Sequence, residues 1–163
     1  MTKKPRKSNT SANIPETPKT ETVSETRPAD MPSALEQTIK PLIADLLYPS
    51  ESDEPLTYVT CYLKQESCLT GSQIEEWLML PPAVFVEEVP ETNFWKPVTR
   101  DEEWYGEEEK KRSVAFWHLQ QEIEKHLSTR QVFRVGDTEI DIYLLGRTTE
   151  GSRAGLKTRV VET

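Results

Sequence analysis

The chain has 163 residues, enough for one domain with a hydrophobic core and too few for two ordinary ones. Residues 1–30 carry six Lys or Arg against four Asp or Glu, a balance of +2, so the formal charge of −8 leaves −10 on residues 31–163. Such a surface repels nucleic acid and anionic membrane and attracts basic partners, and no apolar run approaches the roughly 20 residues that cross a bilayer.

Residues 1–32 are rich in Lys, Thr, Ser, Glu and Pro, with Ile14, Val23 and Met31 as the large apolar residues. Too little surface is available for burial to offset the entropy of ordering, so this segment is expected to be a disordered basic, Pro-rich tail. Met1 leads into Lys3, Lys4, Arg6 and Lys7 without the apolar stretch of a secretory signal, so the protein is expected to be cytoplasmic.

Order is expected from Ser33, where Ser33 and Glu36 have capping-box spacing and Leu35, Ile39, Leu42, Ile43 and Leu46 follow at helical intervals. Pro41 inside that pattern predicts a kink or a break. Tyr48 to Pro55 reads as a polar surface turn holding Glu51, Asp53 and Glu54. Leu56 to Leu63 alternates as a strand, with Cys61 on its apolar face. Cys61 and Cys68 lack zinc-finger spacing and fit reduced thiols, a single disulfide being the alternative.

Ser72 and Glu75 mark a short second helix that Pro81 and Pro82 must end. Val84 to Val89 is a second strand, and Phe94 and Trp95 pin the following connection to the body. Thr99 and Glu102 make a third capping-box match, predicting a long helix over 100–127 with Phe116, Leu119, Ile123 and Leu127 inward. Its early acids suit the positive end of the helix dipole, and Gly106 weakens the continuity of its first turns. Gln131 to Val135 and Thr138 to Leu145 flank Gly136-Asp137 as an antiparallel hairpin with a two-residue turn. Residues 146–155 read as a polar loop, and Leu156 to Glu162 as the last strand. That order of elements predicts helices covering a mixed, mostly antiparallel sheet.

Catalytic chemistry is not apparent. His118 and His126 lie eight positions apart on one helix, with no nucleophile and acid at triad spacing. Residues 146–153 imitate the glycine spacing of a phosphate loop but lack its Lys and run into a strand. No EF-hand spacing organises the many acids. What remains is an acidic constellation, Glu51 to Glu54, Glu102 to Glu109 and Glu162, of a kind that can occupy a site built for phosphates.

The segments Gln131-Val132-Phe133-Arg134-Val135-Gly136, Glu139-Ile140-Asp141-Ile142-Tyr143, Ala154-Gly155-Leu156 and Val160-Val161-Glu162-Thr163 carry a resemblance, together with Ser50-Glu51-Ser52 and Glu103-Trp104-Tyr105. They resemble the nuclease A inhibitor family over approximately residues 33–163. The resemblance implies an α/β protein, a single-domain α/β/α sandwich around a central sheet. It also implies a nonenzymatic inhibitor that blocks the active site of a metal-dependent, nonspecific endonuclease as a monomer in a 1:1 complex. Neither a cofactor nor a metal of its own is implied. Glu51 and Thr163 would approach the magnesium of the partner, and Glu103 and Trp104 would lie at the interface. The family has Asp where this chain has Glu103, and residues 64–98 match it poorly. Two other functions remain open on the sequence: an interaction module of the same fold for a different basic partner, and an acid-based hydrolase.

Overall fold

The computed structural model describes residues 33–162. The tail expected over residues 1–32 and the site residue Thr163 lie outside the described residues.

Helix α1 spans Ala34–Ile43 and turns Ile39 and Ile43 into the core. It continues for two residues beyond Pro41, so the expected break falls at the helix end, where a missing N–H removes only one intrahelical bond. The turn expected over residues 48–55 is the tip of a small antiparallel ribbon. Strands β1 (Leu47–Tyr48) and β2 (Glu54–Pro55) pair Leu47 with Pro55 and Tyr48 with Glu54. Strand β3 (Thr57–Cys61) follows.

Helix α2 (Gly71–Leu78) is capped at Thr70, two residues before the Ser72 cap read from spacing. Thr70 and Gln73 form the capping box instead: Gln73 N donates to Thr70 Oγ1 at 3.2 Å and Thr70 N donates to Gln73 Oε1 at 3.0 Å. Strand β4 (Val86–Val89) leads into the single helical turn α3 (Thr92–Trp95), whose Phe94 and Trp95 are buried.

The long helix is shorter than its capping pattern suggested: α4 spans Glu107–His126. Thr99 does not cap it, because its hydroxyl donates to the Trp95 carbonyl at 2.9 Å. The cap is at Gly106, whose N–H donates to Glu109 Oε1 at 3.0 Å, with three glutamates in the first turn at the positive end of the dipole.

Strands β5 (Ser128–Val135), β6 (Glu139–Arg147) and β7 (Arg153–Val161) complete a five-stranded sheet in the order β3-β7-β6-β5-β4. All its pairings are antiparallel, so the sheet expected to be mostly antiparallel is entirely so among the described residues. The β5–β6 turn uses residues 136–138, one more than the hairpin signal indicated, and Gly136 takes φ +115°, where an ideal Cβ would lie 2.5 Å from the Glu139 carbonyl oxygen.

The period-two alternation of β6 splits its apolar residues between the two faces of the sheet. Ile140, Ile142 and Leu144 meet α1, α3 and α4, while Tyr143 and Leu145 meet Ile74 of α2. Helices on both faces make this α/β domain the expected α/β/α sandwich.

The polar loop read over 146–155 is confined to residues between β6 and β7, and Arg153 is completely buried at the start of β7. Its Nη2 donates to the carbonyls of Gln65 at 2.9 Å and Ser67 at 2.7 Å. Buried Gln131 accepts from Leu69 N at 2.9 Å and donates to Leu69 O at 3.0 Å. These two side chains hold the 64–70 connection against the sheet.

Candidate functional site

The ribbon that carries Glu51 is fixed from below and from the side. Tyr48 is buried at its base, its ring 5.0 Å from that of Phe94 and edge-on to Phe116 at 6.1 Å, and its hydroxyl donates to the Phe94 carbonyl at 2.6 Å. Burial raises the Tyr48 pKa, against a smaller opposing effect of Arg134, so the phenol stays a neutral donor. On the other strand of the ribbon, Thr158 of β7 donates to the Pro55 carbonyl at 3.1 Å.

Ser50 makes the connection to the last strand. Its Oγ accepts from the Val161 N–H at 3.2 Å and from the Ser52 N–H at 3.2 Å, and donates to the Ser52 carbonyl at 2.6 Å. Ser52 in turn donates to Glu54 Oε2 at 2.8 Å. The turn is therefore closed internally and tied across 111 positions of sequence to the end of β7. Exposed Glu51 sits between two serines that fix its backbone on both sides.

Glu162 continues from that strand. Its N–H donates to the Thr138 carbonyl at 2.8 Å, and its carboxylate pairs with Arg134 at 2.8 Å. The acid counted from the sequence as part of the exposed constellation is thus partly neutralised, which leaves the outward charge of this corner with the turn.

Glu103 and Trp104 lie in a short turn ahead of α4, closed by Tyr105 N donating to Glu102 O at 3.1 Å. The indole is 74% exposed and meets Tyr105 edge-on at 4.6 Å, so it fills no core position. Ser113 of α4 donates to the Arg100 carbonyl at 2.6 Å and holds this segment along one flank of the helix. Beside the ribbon, Asp45, Leu47 and Asp53 share a groove with Glu108, Glu109 and Arg112 of α4.

The sequence points to Glu51 within Ser50-Glu51-Ser52, but not to the bonds that Ser50 makes nor to Tyr48 and Thr158, which brace the ribbon. The Ser-Glu-Ser triplet was the visible signal for Ser50. A hydroxyl on each side of an acid in a tight turn is poised to bond the local backbone. Nothing local marks Tyr48 or Thr158, since their partners lie 46 and 103 positions away.

Among the described residues no group of three or more His, Cys, Asp or Glu side chains is arranged to hold a metal ion, and no helix is long and apolar enough to cross a membrane. Cys61 is buried and Cys68 exposed, both as free thiols.

The domain is thus an α/β/α sandwich that exposes a braced acidic turn beside the end of its last strand and an indole ahead of α4. Residues 33–163 match the sequence model of the nuclease A inhibitor-like protein family, NuiA, and the chain belongs to that family. No curated protein matches the chain.

Proposed function

We propose that the protein is a nonenzymatic, stoichiometric inhibitor of a magnesium-dependent, sugar-nonspecific endonuclease, with one nuclease bound per chain by the domain of residues 33–163. The observation that carries this reading is the Ser50 hydroxyl that ties the Glu51 turn to the end of β7. It gives an exposed carboxylate a defined position beside the end of β7, as insertion into a partner's active site requires.

A nuclease site built for phosphates holds a divalent cation and basic side chains. A carboxylate meets both demands, as a hard oxygen ligand for the metal or its waters and as a charge partner for Lys or Arg. Glu51 is the carboxylate assigned to the metal environment, and by the family resemblance Thr163 is assigned there too. Glu103 and Trp104 supply the second contact, the indole as buried area at the rim and the carboxylate as a partner for a basic side chain. The −10 balance on residues 31–163 supports the association by drawing in a basic enzyme.

Titration of a magnesium-dependent, sugar-nonspecific nuclease with the full chain should abolish DNA cleavage at one equivalent. Glu51→Lys should raise the concentration required by about a hundredfold, in the range of a lost central contact, while leaving the circular dichroism spectrum unchanged. Cleavage that continues at excess wild-type protein, across a panel of nucleases of this class, would remove the inhibitory reading.

A further inference from the structure

Residues 146–153, unsuited to a nucleotide, bring two cations together. Arg147 of β6 and Arg153 of β7 are register partners. Side chains directly opposite in an antiparallel pair share one face, with Cβ atoms about 5 Å apart, and like charges so placed are destabilising. Arg153 is completely buried and Arg147 half-buried. β7 runs Arg153–Val161, so the pair lies about 26 Å along the strand from the bond that braces the Glu51 turn.

Among the described residues neither guanidinium forms an ion pair. The charged or titratable groups that act on Arg153 are Arg147, Cys68 and Cys61, with no carboxylate among them. Its Nη atoms donate to neutral acceptors, the Gln65 and Ser67 carbonyls and, at 3.4 Å, the Gln131 amide oxygen. Glu88, the acid of this network, accepts from the Gln131 amide at 3.1 Å and from neither arginine. The Nε atoms of both arginines are buried without a hydrogen-bond partner, and the Arg147 head gives no hydrogen bond among the described residues.

We propose that Arg147 and Arg153 form a binding site for a small tetrahedral oxyanion, phosphate or sulfate, beside the turn of residues 148–152. Buried charge is costly unless it is paired, and a guanidinium fork matches phosphate oxygens with two parallel N–H···O bonds. Arg147, whose donors are uncommitted, grips the ion, and Arg153 supplies the second charge. The turn is closed by Thr148 N donating to Ser152 O at 2.8 Å and Gly151 N to Thr148 O at 3.0 Å. An ideal Cβ on Gly151 would stand 3.5 Å from Arg147 Nη2, so the glycine keeps that head uncrowded. The Thr148 and Ser152 hydroxyls lie 3.0 Å apart, and whichever accepts keeps its own proton for a further acceptor. Donors on two strands and a turn suit four oxygens better than the two of a carboxylate. The bound ion removes the repulsion between the register partners and so secures the 64–70 connection that Arg153 holds. This inference does not depend on the nuclease reading.

Amide chemical shifts of the full chain, titrated with inorganic phosphate at fixed ionic strength, should saturate with a Kd of about 1 mM, centred on residues 146–153. Arg147→Gln should keep the circular dichroism spectrum, lose the saturable shifts, and in chloride be at least as stable as wild type, because a like charge is gone. Phosphate strengthens burial in any protein by exclusion, so its effect on stability is read against this variant. At about 0.1 M phosphate the folded-to-unfolded ratio of wild type should gain about a hundredfold more than that of Arg147→Gln. Glycerol 3-phosphate separates two sources of the group: shifts equal to those of inorganic phosphate mark a phosphoryl group carried on a larger molecule, and none mark the free ion. No saturable shift at residues 146–153, acetate binding as tightly as phosphate, or undiminished binding by Arg147→Gln would each overturn the proposal.

Discussion

Arg153 gives two hydrogen bonds to backbone carbonyls of a connection 86 and 88 positions earlier in the chain and a third to the Gln131 side chain, a use for arginine that needs its planar, multiply donating head. Burial and the nearby Arg147 lower its pKa. Arg153→Met should leave the Gln65 and Ser67 carbonyls short of a donor and destabilise the domain by about 3 kcal/mol, the scale of charged hydrogen bonds lost with their acceptors left behind. Urea denaturation measures the loss. Hydrogen exchange should quicken over residues 64–70 first, and a variant as stable as the wild type would show that the connection is held by its apolar contacts alone.

Two tyrosines set the alkaline limit. Burial raises the pKa of Tyr48, and burial together with Asp141 pushes Tyr143 up to about 12. In the unfolded chain both phenols ionise near about 10, while the fold still holds their protons. The unfolded state therefore binds fewer protons from about pH 10 upward, and stability falls with each pH step from there towards the folded pKa values. Denaturation midpoints should be flat with respect to these groups at neutral pH and drop above about pH 10. Tyr48→Phe should make that drop shallower.

At the scale of elements, the Glu51 turn depends on tertiary bonds more than on its own sequence. Ser50→Ala removes the acceptor for two backbone N–H groups, Val161 and Ser52, at a cost of about 1–2 kcal/mol in stability. If the turn's position carries inhibition, the same change should weaken nuclease binding at least about tenfold, since a displaced central contact loses more than a rim contact. Equal affinity of Ser50→Ala and wild type would show that Glu51 needs no bracing.

The elements differ in how readily sequence reveals them, for physical reasons. Strand β3 is marked by alternation, which follows from the pleat, β5 and β6 by the Gly136-Asp137 hairpin signal between them, and α4 by the inward Phe116, Leu119 and Ile123. Helix starts were read less well because three capping-box spacings looked alike. At Thr99 the hydroxyl is taken by the Trp95 carbonyl behind it, and the choice of Thr70 over Ser72 is made by side-chain bonds that spacing does not encode. Arg153 was placed in a loop because a charged residue beside Gly and Ser suggests solvent, and its acceptors come from residues far away in sequence. Charge alone places Glu51 and Glu103 within a broad acidic constellation, and the family resemblance is what singles out Glu51, Glu103, Trp104 and Thr163 as contacts. The structure adds that Trp104 is exposed.

For the whole molecule, the −10 balance on residues 31–163 bears on how fast a partner arrives more than on how long it stays. Long-range attraction to a basic nuclease is screened with a Debye length of about 10 Å at 0.1 M salt and about 3 Å at 1 M. Close contacts such as those assigned to Glu51 and Trp104 exclude solvent and are screened less. Stopped-flow association with the nuclease should therefore slow at least about tenfold between low salt and about 0.5 M, while the dissociation rate changes much less. Glu51→Lys should show the opposite division, with most of its effect on dissociation. An association rate insensitive to salt would mean that the acidic surface keeps the protein soluble and repels nucleic acid without guiding it to its target.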